Sequence, residues 1–260
     1  MSMIKTPEEI AKLHEGGKLL SDILREIRGA CVEGATSVEL NDIAVRRMEA
    51  CGATPSFLGY RIGTKGPAYP GALCVSINDE VVHGLPIPSR TFRRGDVVGL
   101  DIGMWYKGLA TDMATTVIVG DEADEKTRAL VADTRESLVR GLSAIRANGM
   151  IYDIGAAVED YLKPKKYGIV KDLVGHGVGH AVHEDPPVPN YREDYGDPIV
   201  METGMVLAIE PMITLGTWRV RTKPDGWTIV TADGSLAAHF EVTVAVTDTG
   251  YELITPWPDR

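Results

Sequence analysis

The chain has 260 residues, with 27 basic and 37 acidic side chains, a formal net charge of −10 and 44 % apolar residues. Such a chain forms one or two globular domains with a sizeable core, and its acidic balance excludes a protein whose main task is gripping phosphate backbones. No apolar run reaches the ~20 residues of a membrane helix, no secretory leader is expected, and three scattered cysteines exclude a disulfide scaffold or a Cys-rich zinc module, so the expected location is the cytoplasm.

Thr6-Pro7-Glu8-Glu9 predicts a helix start, with Thr6 as cap, Pro7 in the first turn and Glu9 closing a capping box. Ile10, Leu13, Leu20, Ile23 and Ile27 recur at helical spacing behind it, and Gly34 is expected to stop the helix. Thr36 and Glu39 form a second capping box ahead of Leu40, Ile43, Ala44 and Met48. Gly, Pro and aromatic residues from Gly52 to Gly71 predict a loop. β-rich runs follow at 73–77, 81–82, 97–102 and 115–119. The helical pattern then returns. The acidic run Asp121–Glu125 reads as a solvated helix start, Leu130, Val131, Leu138 and Leu142 share one side, and Gly149 separates a second helix carrying Ile151, Ile154, Val158 and Leu162. Strand-like runs at 205–209, 227–230 and 242–246 complete the chain. The order helix, helix, strands therefore occurs twice, a weak internal duplication without an interdomain linker.

Three of the six histidines fall in Gly175-His176-Gly177-Val178-Gly179-His180-Ala181-Val182-His183. The alternating glycines disfavour a helix and let backbone approach a ligand closely; a glycine-rich turn with solvated histidines is the plainer alternative. Carboxylates in apolar strands are a stronger signal, because Asp is rare inside strands and almost never buried unpaired. Asp101 lies in Val98-Gly99-Leu100-Asp101-Ile102, and Asp112 opens the run that ends at Val119. A turn at Lys107-Gly108 would set Asp101 opposite Ala114 and make Asp112 its diagonal neighbour on the same face. Two carboxylates so close repel unless one holds a proton or a cation lies between them. Glu210 ends the apolar run Met205–Ile209, and Glu241 stands in a β-rich stretch. With His176 these four acids make five candidate ligands, a set suited to a pair of ions such as Mn²⁺, Fe²⁺, Co²⁺ or Zn²⁺. Two such ions can activate a bridging water for hydrolysis. His83 and His183 are candidates for orienting the scissile bond; each alone is more often structural.

The motifs Asn78-x4-His83-Gly84-x-Pro86, Asp101-x10-Asp112, Gly175-His176-Gly177-Val178-Gly179-x3-His183-Glu184-x-Pro186, Glu210-Pro211-Met212 and Phe240-Glu241 occur in this order. In them the chain resembles the type I methionine aminopeptidases of the bacterial short form, across nearly its whole length. The resemblance implies an α/β (α+β) pita-bread fold: pseudo-twofold duplicated helix-helix-strands units around a curved antiparallel sheet. A single catalytic domain would span 1–260, with halves of roughly 1–120 and 121–260. It implies removal of the N-terminal methionine from nascent proteins and peptides, preferring a small second residue, with two divalent ions per chain (Co, Mn, Fe or Zn). Asp101 would chelate one ion and His176 the other, Asp112 and Glu241 would bridge them, and Glu210 would bind the second ion and assist proton transfer. His183 would hydrogen-bond the substrate carbonyl and His83 the nitrogen of the scissile bond. Tyr60, Tyr69, Cys74 and Trp227 fall at the places of the methionine pocket. The implied partners are nascent N-termini and, more weakly, the ribosome, with no DNA and no membrane, and a monomer is expected.

Several positions depart from the family's usual pattern. The stretch 61–68 is longer, Phe57 replaces a smaller residue, Val182 replaces an aromatic, and His239 and Val242 flank the last Glu where Gln and His are usual. These departures motivate one alternative, an aminopeptidase of altered or Xaa-Pro specificity. A catalytically dead binding module on the same fold is the other, and the five retained ligand positions argue against it.

Overall fold

In the computed structural model, residues 3–61, 63, 66–120, 122–193 and 198–259 are described. Ile62, Thr64 and Lys65 of the 61–68 stretch, and Asp121 of the acidic run, lie outside them. Both capping boxes are made. Thr6 Oγ1 accepts the Glu9 N–H at 3.2 Å while the Glu9 carboxylate accepts the Thr6 N–H at 2.8 Å, and helix α1 runs Pro7–Ala30. Thr36 and Glu39 repeat the device for α2, Ser37–Ala50. Helix α1 ends before Gly34, which instead serves the following turn with φ +84. Asp124 caps α3, Glu125–Leu142, by accepting the Thr127 N–H at 2.7 Å, and α4 is Ile151–Leu162.

Among the described residues, nine strands form one antiparallel sheet. Thr54–Pro55, Val97–Tyr106 and Leu109–Ile118 lie on one side, and Glu241–Thr247, Val206–Ile209, Gly175–Gly177 and Glu184–Val188 on the other. The two sequence halves thus meet where Leu109–Ile118 pairs Glu241–Thr247. Cys74–Ile77 joins beside Val97–Tyr106, and Gly250–Leu253 beside Glu241–Thr247. Lys107 (φ +49) and Gly108 (φ +83) make the two-residue turn of the central hairpin, whose left-handed residues match strand twist. The second strand begins at Leu109, directly after that turn, so Asp112 lies inside the strand and not at its start.

Alternation along the strands separates two faces. Leu100, Ile102, Met104 and Met113 pack under α1 and α2, against Leu20, Leu24, Leu40 and Met48. Leu207, Ile209, Val242 and Val244 pack against Leu138, Ile151 and Ile154 of α3 and α4. The opposite face carries Asp101, Asp112, Ala114 and Glu241. Three-residue strands at Met212–Thr214, Val220–Thr222 and Ala237–His239, and the two-residue strand inside the 52–71 loop, are too short to show a period in the sequence. The run predicted at 227–230 becomes Ile229–Thr231, leaving Trp227 in a loop. No helix among the described residues is long and apolar enough to cross a membrane.

Candidate active site

The register of the sheet assembles the acids. Asp101 and Glu241 both stand opposite Ala114, one from each neighbouring strand, and Asp112 is two residues from Ala114 on the same face. Ala114 thus lies between three carboxylate-bearing positions. Thr243 locks the two halves together: its hydroxyl donates to the Asp112 carbonyl at 2.7 Å and accepts the Asp112 N–H at 3.1 Å. His176 pairs with Ala208, near the end of the strand that delivers Glu210. The glycines beside His176 admit the backbone of neighbouring strands. A Cβ at Gly175 would lie 2.4 Å from the Ala208 carbonyl, and one at Gly177 would lie 2.3 Å from that of Asp185.

His176 Nδ1 donates to the Gly177 carbonyl at 2.9 Å, which leaves the Nε2 lone pair facing the acids, 3.4 Å from Glu210 Oε1. Burial pushes the His176 pKa down to about 3, so the ring is a neutral donor. Burial also raises the Asp101 carboxyl to about 7 and Glu210 to about 8, and it lifts Asp112 and Glu241 well above the carboxylate range, reinforced by their acidic neighbours. Asp101 Oδ1, Asp112 Oδ1 and Glu241 Oε1 are buried and make no hydrogen bond. Orphaned buried oxygens are costly alone and are what a divalent cation satisfies. Asp112, His176 and Glu241 form one group able to hold an ion, and Glu210, His239 and Glu241 another. Asp101 belongs to neither group, although its Oδ1 is likewise buried and unpartnered; the other four candidate ligands fit the metal that the resemblance implies.

These acids close one end of a cavity of about 190 Å³. Tyr60, Tyr69, Cys74 and Trp227 line it, with Phe57 and Val82 beside them. Cys74 is in register with Asp101. Tyr69 turns its hydroxyl to the Gly84 carbonyl at 2.8 Å, and its ring meets Trp227 edge-on at 5.2 Å. Trp227 Nε1 donates to the Pro67 carbonyl at 3.2 Å, so the long loop fixes this wall. Gly103 makes room for Phe57, since a Cβ there would lie 2.9 Å from the ring. Val182 is buried in the core behind the site and does not line the cavity.

His83 and His183 both line the cavity. Burial pushes His83 down to about 4, and its buried Nδ1 makes no hydrogen bond. His183 stands at the mouth with one side open to solvent, its ring 4.4 Å from that of His176. Tyr60 Oη lies 2.9 Å from His183 Nδ1. Packing lowers the His183 pKa, and a neutral ring accepting the Tyr60 hydroxyl at Nδ1 carries its proton on Nε2. His180 is bound to Glu9 at 2.8 Å, an anchor for the N-terminal helix. The sequence reading missed two features: the Tyr60–His183 pair, 123 residues apart, and the convergence of His239 on the acids. The spacing His239-x-Glu241 in a β-rich run was the available signal for the second.

The model of metallopeptidase family M24 matches residues 11–248. The chain is 38 % identical to a methionine aminopeptidase of Clostridium acetobutylicum over 98 % of its own length and 99 % of that relative. Among solved structures it is similar to a methionine aminopeptidase from Thermotoga maritima, with a TM-score of 0.91 and 42 % identity over 97 % of this chain and 98 % of that one. An Xaa-Pro dipeptidase from Bacillus anthracis is more distant, with a TM-score of 0.74 and 25 % identity, and the match spans 62 % of it. The shared architecture is the pita-bread fold.

Proposed function

The chain belongs to metallopeptidase family M24 and removes N-terminal methionine, and we propose that it does so with two divalent ions held by Asp101, Asp112, His176, Glu210 and Glu241. The observation that carries this reading is the convergence of four buried carboxyl groups and a neutral imidazole at one end of an aromatic-walled cavity. The acids come from both halves of the chain, so residues 1–260 act as one catalytic unit. When bound, divalent ions would acidify an attacking water and polarise the scissile carbonyl. Glu210 takes the proton of that water at a carboxylate oxygen and returns it to the leaving amine. His183 donates from Nε2 to the carbonyl oxygen, stabilising the charge that develops there. His83 faces the nitrogen of the scissile bond. The thioether of methionine suits a wall of Tyr60, Tyr69, Cys74 and Trp227, through apolar burial and sulfur–aromatic contact. The free α-amine beside the acids restricts cleavage to chain ends.

A small second residue is the proposed preference, nascent chains in the cytoplasm the proposed substrates and a monomer the proposed active form. Ribosome docking would need a local basic patch, and the basic stretches at 90–94 and 163–166 have several of their charges paired. Arg90 is bound to Glu80 at 2.7 Å, Arg94 lies 3.3 Å from Glu122, and Lys165 lies 3.1 Å from Asp133. The Xaa-Pro alternative is not favoured, given the greater likeness to methionine aminopeptidases over nearly full length.

The test uses Met-Ala-Ser and Met-Leu-Ser peptides on metal-stripped protein, before and after each divalent ion is added. Methionine release from the Ala peptide alone, and only with metal, is expected. Release independent of metal would refute the role given to the acids. Removing one hydroxyl tests the tautomer argument. Tyr60→Phe is expected to lower kcat about five- to tenfold with KM little changed, since a single hydrogen bond is worth about 1 kcal/mol. An unchanged kcat would show that Tyr60 does not position His183.

A further inference from the structure

The acids of the centre face a second imidazole, to which the family likeness assigns no role. His239 ends the short strand Ala237–His239, and its side chain is 3 % exposed. Its main chain is clamped on both sides by one residue: its N–H donates to Thr116 Oγ1 at 2.9 Å, and the Thr116 hydroxyl donates to its carbonyl at 2.7 Å. Thr116 belongs to the strand that carries Asp112, so the ring is fixed relative to the acids. His239 Nε2 lies 3.6 Å from Glu210 Oε2 and 3.9 Å from Glu241 Oε2, and it makes no hydrogen bond.

We propose that His239 is a metal ligand, its Nε2 sharing one divalent ion with Glu210 and Glu241. This rests on the metallopeptidase reading above and adds a sixth protein donor and a second imidazole to the centre. The separations carry it. At 3.6 and 3.9 Å the ring is too far from either carboxylate for a good hydrogen bond. Donors bound to one ion at about 2.1 Å can stand up to about 4.2 Å apart, twice the bond length. Both distances fall in that interval, and the three donor atoms form a mutually close set. Glu210 then lies between two imidazoles, with Oε1 turned to His176 and Oε2 to His239. An imidazole has a chemical consequence that an amide or a water at this place would lack. Imidazole suits zinc and cobalt, whereas manganese is held best by oxygen donors, so His239 biases the centre toward the former.

Two measurements test the proposal. The first is a crystal structure of the full chain loaded with Zn²⁺. Nε2 of His239 is expected at about 2.1 Å from a zinc ion; a ring more than about 3 Å from every bound ion overturns the ligation. The second is competition against a chelator with the native chain and His239→Gln, using Zn²⁺ and Mn²⁺ separately. The variant is expected to lose about tenfold or more in Zn²⁺ affinity and much less in Mn²⁺ affinity. An equal loss for both ions, or none, overturns it. Failure of the native chain to bind either ion would sink the metallopeptidase reading itself; two bound ions with His239 turned away would sink only the inference.

Discussion

Glu210→Ala is expected to lower kcat/KM on Met-Ala-Ser by at least ~10³-fold, at the upper range for loss of a general acid–base group, while the metal-free protein keeps its thermal midpoint. The scaffold around Glu210 does not depend on its side chain. Its carbonyl accepts the Asn190 side-chain amide at 3.1 Å, and the strand before it is fully buried against Glu241–Thr247. The carboxyl group takes its role from the proposed function instead. It lies 3.4 Å from His176 and 3.6 Å from His239, and burial holds its pKa at about 8. A bound cation would hold that carboxyl group ionised, which leaves it able to take a proton and give it back. Removing the carboxyl takes away a buried polar group that is costly to desolvate, so the metal-free fold is expected to hold or gain stability while turnover is lost. Circular dichroism melts and peptide assays on the same preparation check both halves. Activity within tenfold of the native chain would remove Glu210 from the proton path.

The site was legible in the sequence to the extent that each part was a local anomaly. An aspartate amid Val98, Leu100 and Ile102 contradicts the apolar pattern around it, and the two-residue turn at Lys107-Gly108 fixes what stands opposite. Asp101 does face Ala114. The capping boxes were legible for the same reason, because each lies within four residues. The positions that escaped depend on strands distant in sequence. His239 points at Glu210 only because Thr116 pins its backbone, and Tyr60 meets His183 only after the 52–71 loop has folded across the sheet. The glycines around His176 were noticed, but their packing role was not: the missing Cβ at Gly175 and Gly177 admits the Ala208 and Asp185 carbonyls. Phe57 shows how a departure is absorbed, since its bulk is matched by the bare Cα of Gly103 in the facing strand.

The same buried acids set how the metal-free protein responds to pH. Asp101 rises from 3.8 to about 7 and Glu210 from 4.5 to about 8 on folding, with Asp112 and Glu241 shifted upward as well. The folded chain therefore binds protons that the unfolded chain has released, and stability falls as pH rises. His83 and His176 oppose this at lower pH. Their folded values of about 4 and about 3 lie below the ordinary 6.5, and burial lowers His183 and His239 as well, so these rings add stability as pH rises until the unfolded imidazoles have lost their protons, about one unit above 6.5. Between pH 6.5 and 8.5 the four carboxyl groups outweigh the fading contribution of the histidines. The midpoint of stripped protein is expected to fall there by on the order of 5 °C, the equivalent of roughly 2 kcal/mol in a chain of this size. Asp101→Asn, neutral at every pH, should flatten part of that slope. Saturating Mn²⁺ should abolish it, because a cation stabilises the ionised acids that burial disfavours, and the gain from metal should grow with pH as fewer protons must be expelled. A midpoint of stripped protein that rises from pH 6.5 to 8.5 would mean that the four acids are already ionised in the folded chain. The cost of bringing them together would then have to be met by another cation, and the case for a divalent pair would weaken with it.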